Sequence, residues 1–349
     1  MMAVVPNGPT GPLRRALLAH YDRSHRDLPW RRTRDPYRIW LSEVMLQQTR
    51  VETVEPRYRR FLRRFPTVGR LAAAQPEEVC EEWAGLGYYS RAQNLNAAAR
   101  RIVERHGGRV PRELRELECL PGIGRYTAGA IASIAFDIEA PVVDGNVTRE
   151  LSRLFALDSA PRSAVGARQL WSLAGELVRG PRPGDLNQAI MELGATLCLP
   201  AQPRCGECPL QRFCRAAGSA DPTRYPLKAT RPVRPELHIA FAWAVTRGGV
   251  WLERRPLDGL WAGLWQPPAA EGARARRTLE IETGLELGPA LASIDHQLTH
   301  RRVIARVFLV TGAVRLRRRR TLAPHRAPLA APLSALARKA VRAALAALR

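Results

Sequence analysis

Lysine is almost absent from this 349-residue chain. Only Lys228 and Lys339 occur among 55 basic side chains, and residues 1–225 contain none. A lysine amine that could form a Schiff base is therefore excluded from the first two-thirds of the sequence. Long apolar runs are missing too, and none approaches the roughly 20 residues needed to span a bilayer. Residues 1–18 are rich in Pro and Gly and then basic, without the hydrophobic stretch of a signal peptide. The expectation is a cytoplasmic chain with no membrane partner. Strand-like alternation is scarce before Pro235, and no internal repeat is visible. At 46% hydrophobic the chain is no disordered polymer, and its length favours two or three domains over one core.

What is abundant is arginine. The net charge is +23, with 33 arginines against 24 acids in residues 1–225 and 22 basic against 8 acidic residues in 226–349. A basic surface of this size suits a polyanionic partner such as a nucleic acid, although an arginine-biased genome produces the same figure. The six cysteines are unevenly placed. Cys80 and Cys119 stand alone in apolar, helix-like surroundings and read as structural thiols. Cys198, Cys205, Cys208 and Cys214 fall within seventeen residues, which in a cytoplasmic chain favours metal over disulfides. By themselves the four fit a structural zinc or an iron–sulfur cluster equally well.

From about Leu13 to Leu210 apolar residues recur at three- and four-residue steps, with Pro and Gly between segments, so residues 1–225 read as all-α. Residues 226–235 turn to Pro, Arg and Thr and read as a linker. Beyond them, 237–246, 250–254 and 303–311 are β-prone, 274–282 is a helix candidate, and 333–348 is an alanine-rich terminal helix. Residues 236–349 are therefore an α+β module.

Two carboxyls stand out. On a helix, Glu43 has Ile39, Trp40, Leu46 and Gln47 one turn away, and no Arg or Lys among them. Such a carboxyl is desolvated and its pKa rises, which suits a general acid near neutral pH. Asp144 follows the apolar pair Val142 and Val143 and precedes a helix, in Val143-Asp144-Gly145-Asn146. Taken alone it reads as a helix N-cap or an Asp-Gly turn residue. Between them, Leu120-Pro121-Gly122-Ile123-Gly124-Arg125 joins two helices by a tight turn. Gly122 and Gly124 leave backbone amides uncovered at a helix N-terminus, which is a phosphate site needing no side-chain charge.

These strings, with Leu28-Pro29-Trp30, Trp40-Leu41-Ser42-Glu43-Val44-Met45-Leu46-Gln47-Gln48-Thr49 and Gly85-Leu86-Gly87-Tyr88-Tyr89, resemble the MutY family of adenine DNA glycosylases. The resemblance runs in order through residues 13–225. It implies a mostly α helix-hairpin-helix glycosylase fold with an iron–sulfur cluster loop and a C-terminal α+β Nudix-like domain. The hairpin-bearing subdomain would cover about 30–137, and the cluster subdomain the N-terminal helix with about 138–225. It implies that Glu43 is the acid, that Asp144 stabilises the sugar cation, and that Tyr126 and Asn146 support Asp144. Arg26, Leu28, Trp30 and Gln188 would enclose an extruded adenine, Gln48 and Tyr88 would wedge into the duplex, and Thr49 and Leu86 would face the oxidised guanine. The four cysteines would hold one structural [4Fe–4S] cluster, on a loop carrying Arg204 and Arg212 near phosphates.

In the module beyond the linker, Gly263, Arg277, Leu279, Glu282, Gly284 and Leu285 keep Nudix register, while Ala269, Thr278 and Ile281 replace three of its carboxylates. Magnesium-dependent hydrolysis is not expected there. The resemblance instead places an oxidised-guanine recognition loop at His296-Gln297-Leu298-Thr299-His300, with Leu298, Thr299 and His300 contacting the base; Leu298 stands where an aromatic is commonest. The expected partner is double-stranded DNA with adenine opposite 8-oxoguanine or guanine, bound by a nucleoid-associated monomer. Two alternatives are weighed. An endonuclease III-like lyase is opposed by Tyr126 at the place of its lysine. A non-catalytic DNA-binding protein is opposed by the retention of both carboxyls.

Overall fold

The computed structural model describes residues 10–227, 235–256, 259–261, 263–298, 301–312 and 322–348. The chain divides into two units, one of residues 1–86 and 91–230 and the other of residues 87–90 and 231–349. Among the described residues, no strand precedes Glu236 and no helix is long and apolar enough to cross a membrane.

The first part of the chain carries α1 (Thr10–Ser24), α2 (Pro36–Leu46), α3 (Val51–Arg64), α4 (Val68–Ala73), α5 (Pro76–Glu82), α6 (Ser90–His106), α7 (Leu114–Glu118), α8 (Arg125–Phe136), α9 (Gly145–Leu154), α10 (Ala164–Val178) and α11 (Pro183–Thr196). Their starts follow local chemistry. The Asp35 carboxylate accepts from the amides of Tyr37 (2.9 Å) and Arg38 (3.3 Å), and Pro36 opens α2 with no amide to satisfy. Asp144 caps α9 through the Val147 amide at 2.7 Å.

α2 and α8 are buried on all sides rather than along one stripe: residues 39–45 and 127–134 have no exposed member. They stand between two apolar clusters. Trp40, Leu41, Ala128 and Ile131 belong to one, with Phe61, Trp83 and Ile102; Ile39, Ala130 and Ile134 belong to the other, with Leu17, Leu151 and Leu193. Small residues let the backbone close in on α8. A Cβ on Gly184 would meet the Ser133 carbonyl oxygen at 2.5 Å, and one on Gly129 would meet the Pro141 carbonyl oxygen at 2.3 Å. Gly129 therefore sets the position of the 141–144 segment, and with it Asp144.

The second unit contains β1 (Glu236–Trp243), β2 (Val245–Thr246), β3 (Gly249–Arg254), β4 (Trp265–Gln266), β5 (Ala269–Glu271), α12 (Ala275–Thr283), β6 (Glu286–Gln297), β7 (Arg302–Thr311), β8 (Leu322–His325) and α13 (Ala335–Ala347). One sheet runs β5-β1-β7-β6 with β1 and β7 parallel; the other is built on β3 with β2, β4 and β8. Phe241 and Val307 face a core shared with α13, while Ala240, Ala242 and Phe308 pack with Leu279 of α12. The α+β expectation holds. β6 was not anticipated: Gly288, Pro289 and two alanines weaken its strand signal, and two register shifts in its pairing with β7 accommodate them.

Candidate active site

Glu43 lies on the inward face of α2 and is 6% exposed. Across 83 residues of sequence, the Tyr126 hydroxyl from the first turn of α8 donates to its Oε2 at 2.8 Å and lies 3.2 Å from the Met191 sulfur of α11. Burial pushes the Glu43 carboxyl up to about 7; the Tyr126 hydrogen bond opposes the rise, the charge of Asp144 adds to it, and Arg31 opposes it. Asp144 is also raised by burial, but the amides of Val147 and Asn146 and the charge of Arg149 work to keep it ionised. The expectation gave Tyr126 to Asp144, whereas its hydroxyl bonds Glu43. Asn146 offers its backbone amide to Asp144 and turns its side-chain oxygen to Arg149 at 2.9 Å. The result is one carboxyl that holds a proton near neutrality and one capped to carry charge, the division of labour that glycosidic cleavage needs.

α11 carries the next layer. Arg26 donates through its backbone amide (3.1 Å) and through Nε and Nη2 (both 2.8 Å) to Glu192, and Arg31 donates to the same carboxylate at 2.7 Å. Burial alone would raise the Glu192 carboxyl, but the bonds from Arg26 and Arg31 outweigh it and hold it at about 2. Gln188 sits one turn earlier on α11 and is buried, as are Leu28 and Trp30. Sequence reading named Arg26 but missed Arg31 and Glu192, whose link spans 161 residues and leaves no local signal.

The expected wedge residues share an unusual backbone. Gln48 and Tyr88 both adopt positive φ (55° and 47°) and both are exposed. Non-glycine residues in this region are costly and concentrate at functional sites. Arg91, another residue missed, joins the turn after α2 to Leu86: its guanidinium donates to the carbonyls of Val44 (2.7 Å), Gln47 (2.8 Å) and Leu86 (3.1 Å) and to the Thr49 hydroxyl (3.2 Å). Thr49 also reaches the buried Leu86 through its carbonyl at 3.4 Å. At the hairpin, Gly122 takes φ +75° and would strike Asn94 if it bore a Cβ, whereas a Cβ on Gly124 would meet nothing within 4 Å. Gly124 is the N-cap of α8 and makes no side-chain cap, so the first amides of α8 keep an open approach.

Comparison with known proteins fits this arrangement. Residues 41–175 match the HhH-GPD superfamily of base excision DNA repair proteins, and residues 240–343 match the NUDIX domain. An adenine DNA glycosylase of Buchnera aphidicola subsp. Acyrthosiphon pisum is 32% identical over 246 residues, covering 70% of each chain. The chain belongs to the adenine DNA glycosylase family. The rat adenine DNA glycosylase is 44% identical over 310 residues, which cover 73% of this chain; the match spans only 60% of the rat protein's length. A solved thermostable thymine-DNA glycosylase superposes with a TM-score of 0.56 at 31% identity, over 60% of this chain and 96% of that one. The fold is therefore the helix-hairpin-helix glycosylase fold followed by a Nudix-like domain.

The cysteines converge on one pocket. Cys198, just past the end of α11, and Cys205, Cys208 and Cys214, in the short turns after it, line one cavity together with Glu150, Arg153, Leu193 and Leu210. Among the described residues no three His, Cys, Asp or Glu side chains are placed to hold a single metal ion. Burial pushes the Cys208 thiol to about 11, with Cys198 and Cys214 adding to the rise. Arg153 holds the rim, donating to the Cys198 sulfur (3.4 Å) and to the carbonyls of Leu199 and Pro200 (both 2.7 Å). Arg149 joins the Cys198 carbonyl (2.8 Å) to Asn146. Arg212 lies over the Phe213 ring at 4.7 Å.

In the Nudix-like domain, Leu279 is fully buried and Gly284 closes α12 with φ 73°, while Ile281 is 62% exposed where a Nudix carboxylate would stand. His296 and Gln297 end β6, and the Leu298 amide donates to Arg301 at 2.9 Å. Thr299 and His300 lie outside the described residues.

Proposed function

We propose that this chain excises adenine mispaired with 8-oxoguanine, and with guanine more weakly, as a monomer acting on double-stranded DNA. The observation that carries the reading is a buried carboxyl poised at about 7 on the Tyr126 hydroxyl, with a helix-capping carboxylate acting on it from the neighbouring element. Glu43 gives its proton to the base as the glycosidic bond breaks and the bonding electrons leave on adenine. Asp144 faces the sugar cation, and water completes the hydrolysis. With no lysine in residues 1–225, no Schiff base and no lyase step follow. Arg26, Leu28, Trp30 and Gln188 enclose the extruded base, on a frame set by Glu192 and Arg31. Gln48 and Tyr88 fill the space it leaves, Thr49 and Leu86 face the opposing guanine, and the open amides at Gly122 and Gly124 take a phosphate.

The cysteine pocket fits one [4Fe–4S] cluster. Cys208 and Cys214, whose thiols burial pushes up, need a cationic centre to become ligands, and the four half-buried cysteines line a space rather than meet at a point. Cys198, Cys205, Cys208 and Cys214 would hold it, and bound there it would fix the loop of Arg204 and Arg212 beside the DNA. In the second domain, Ala269, Thr278 and Ile281 supply no carboxylates for magnesium, and Leu298, Thr299 and His300 read the oxidised guanine. Single-turnover excision on duplexes that differ only in the base opposite adenine tests the substrate: 8-oxoguanine should give the fastest release and guanine slower release, while equal rates for every partner base would refute it.

A further inference from the structure

One buried acid has no part in the chemistry above. Glu150 lies on α9, a turn and a half beyond the Asp144 cap, and is 5% exposed. Both carboxyl oxygens are sealed from solvent, and neither has a hydrogen-bond partner. Burying polar atoms without a partner is unfavourable, so an orphan of this kind calls for a missing one. α11 makes room for it by carrying no side chain at position 194: a Cβ on Gly194 would stand 2.2 Å from Glu150 Oε1. The carboxyl lines the same cavity as the four cysteines.

We propose that the partner of Glu150 is the iron–sulfur group held by those cysteines, and that Glu150 is a positioning residue that donates a hydrogen bond to one of its sulfurs. The inference rests on the cluster reading given above. Sulfide and thiolate sulfurs accept hydrogen bonds and do not donate them, so an ionised carboxylate gains nothing in this pocket, whereas the protonated acid supplies the donor. Hydrogen bonds to cluster sulfurs stabilise the more negative, reduced state and raise the reduction potential. They also slow the loss of metal.

The test compares the full-length wild type with Glu150→Gln, which keeps a donor, and Glu150→Met, which keeps the length and loses it. Iron and acid-labile sulfide per chain are measured first, then the midpoint potential and the rate of iron loss to a chelator. Glu150→Gln should match the wild type on both readouts. Glu150→Met should shift to a more negative potential and lose iron roughly tenfold faster. Glu150→Leu serves in its place if the methionine variant does not fold. Equal potentials and equal iron loss in wild type and Glu150→Met overturn the inference and leave the cluster standing. A folded wild type without iron overturns the cluster reading, and this inference with it.

Discussion

Removing the Tyr126 hydroxyl should move the pH dependence of catalysis toward alkali. The hydroxyl donates to Glu43 at 2.8 Å, and this bond favours the ionised acid. A hydrogen bond to a charged acceptor contributes about 1.5–3 kcal/mol, and 1.36 kcal/mol corresponds to about one pKa unit. The neutral carboxyl accepts the same bond more weakly, so the net effect of Tyr126→Phe is about one unit. Asp144 and Arg31, the other charges acting on Glu43, are unchanged. The acid's midpoint should climb from about 7 to about 8. At pH 8.5 the protonated fraction is then about 3% in the wild type and about 24% in the variant, roughly an eightfold difference. The assay is single-turnover adenine release across the pH range, each enzyme scaled to its own acid plateau so that any fall in the plateau does not matter. An alkaline limb that stays in place or moves toward acid would refute the reasoning.

The raised Glu43 carboxyl also implies a conflict between activity and stability. A folded value of about 7 against a reference of 4.5 means that stability present below 4.5 is lost as pH rises through 7, to a total of about 3 kcal/mol. Glu43→Gln should therefore match the wild type in thermal stability at pH 4 and exceed it at pH 8; equal melting curves at pH 8 would contradict this. Gly129→Ala places a methyl 2.3 Å from the Pro141 carbonyl oxygen and should cost about 1–3 kcal/mol while displacing Asp144, so excision should fall with iron content and duplex affinity retained. Excision at the wild-type rate would mean that the 141–144 segment tolerates the shift. Borohydride added during turnover should trap no protein–DNA adduct, and trapping as efficient as that of a lyase would revive an amine nucleophile.

Much of the site could be read from the chain because its signals are local. Glu43 was recognised as desolvated from its helical neighbours, and Ile39 and Trp40 are each 1% exposed in the structure. Asp144 was read both as a cap and as a functional carboxylate, and its capping bond to Val147 keeps a charge there. What stayed hidden was pairing at a distance. Nothing near Tyr126 announces that its hydroxyl meets Glu43, and nothing near Arg31 announces Glu192. Arg91 begins a polar stretch of α6 and looks solvated, yet it is buried among carbonyls of residues 44–47 and 86. Glu150 is hidden for the same reason: its helical position says buried, but only the fold shows that it shares a cavity with the cysteines.

The central claim is that Glu43 and Asp144 divide one reaction between them. Rates of adenine release and duplex affinity, measured side by side for the wild type, Glu43→Gln and Asp144→Asn on DNA with adenine opposite 8-oxoguanine, test it most directly. Release should fall roughly 10²-fold or more in each variant, with affinity within a few-fold of wild type. Release near the wild-type rate in either variant, or affinity lost in step with it, would contradict the account.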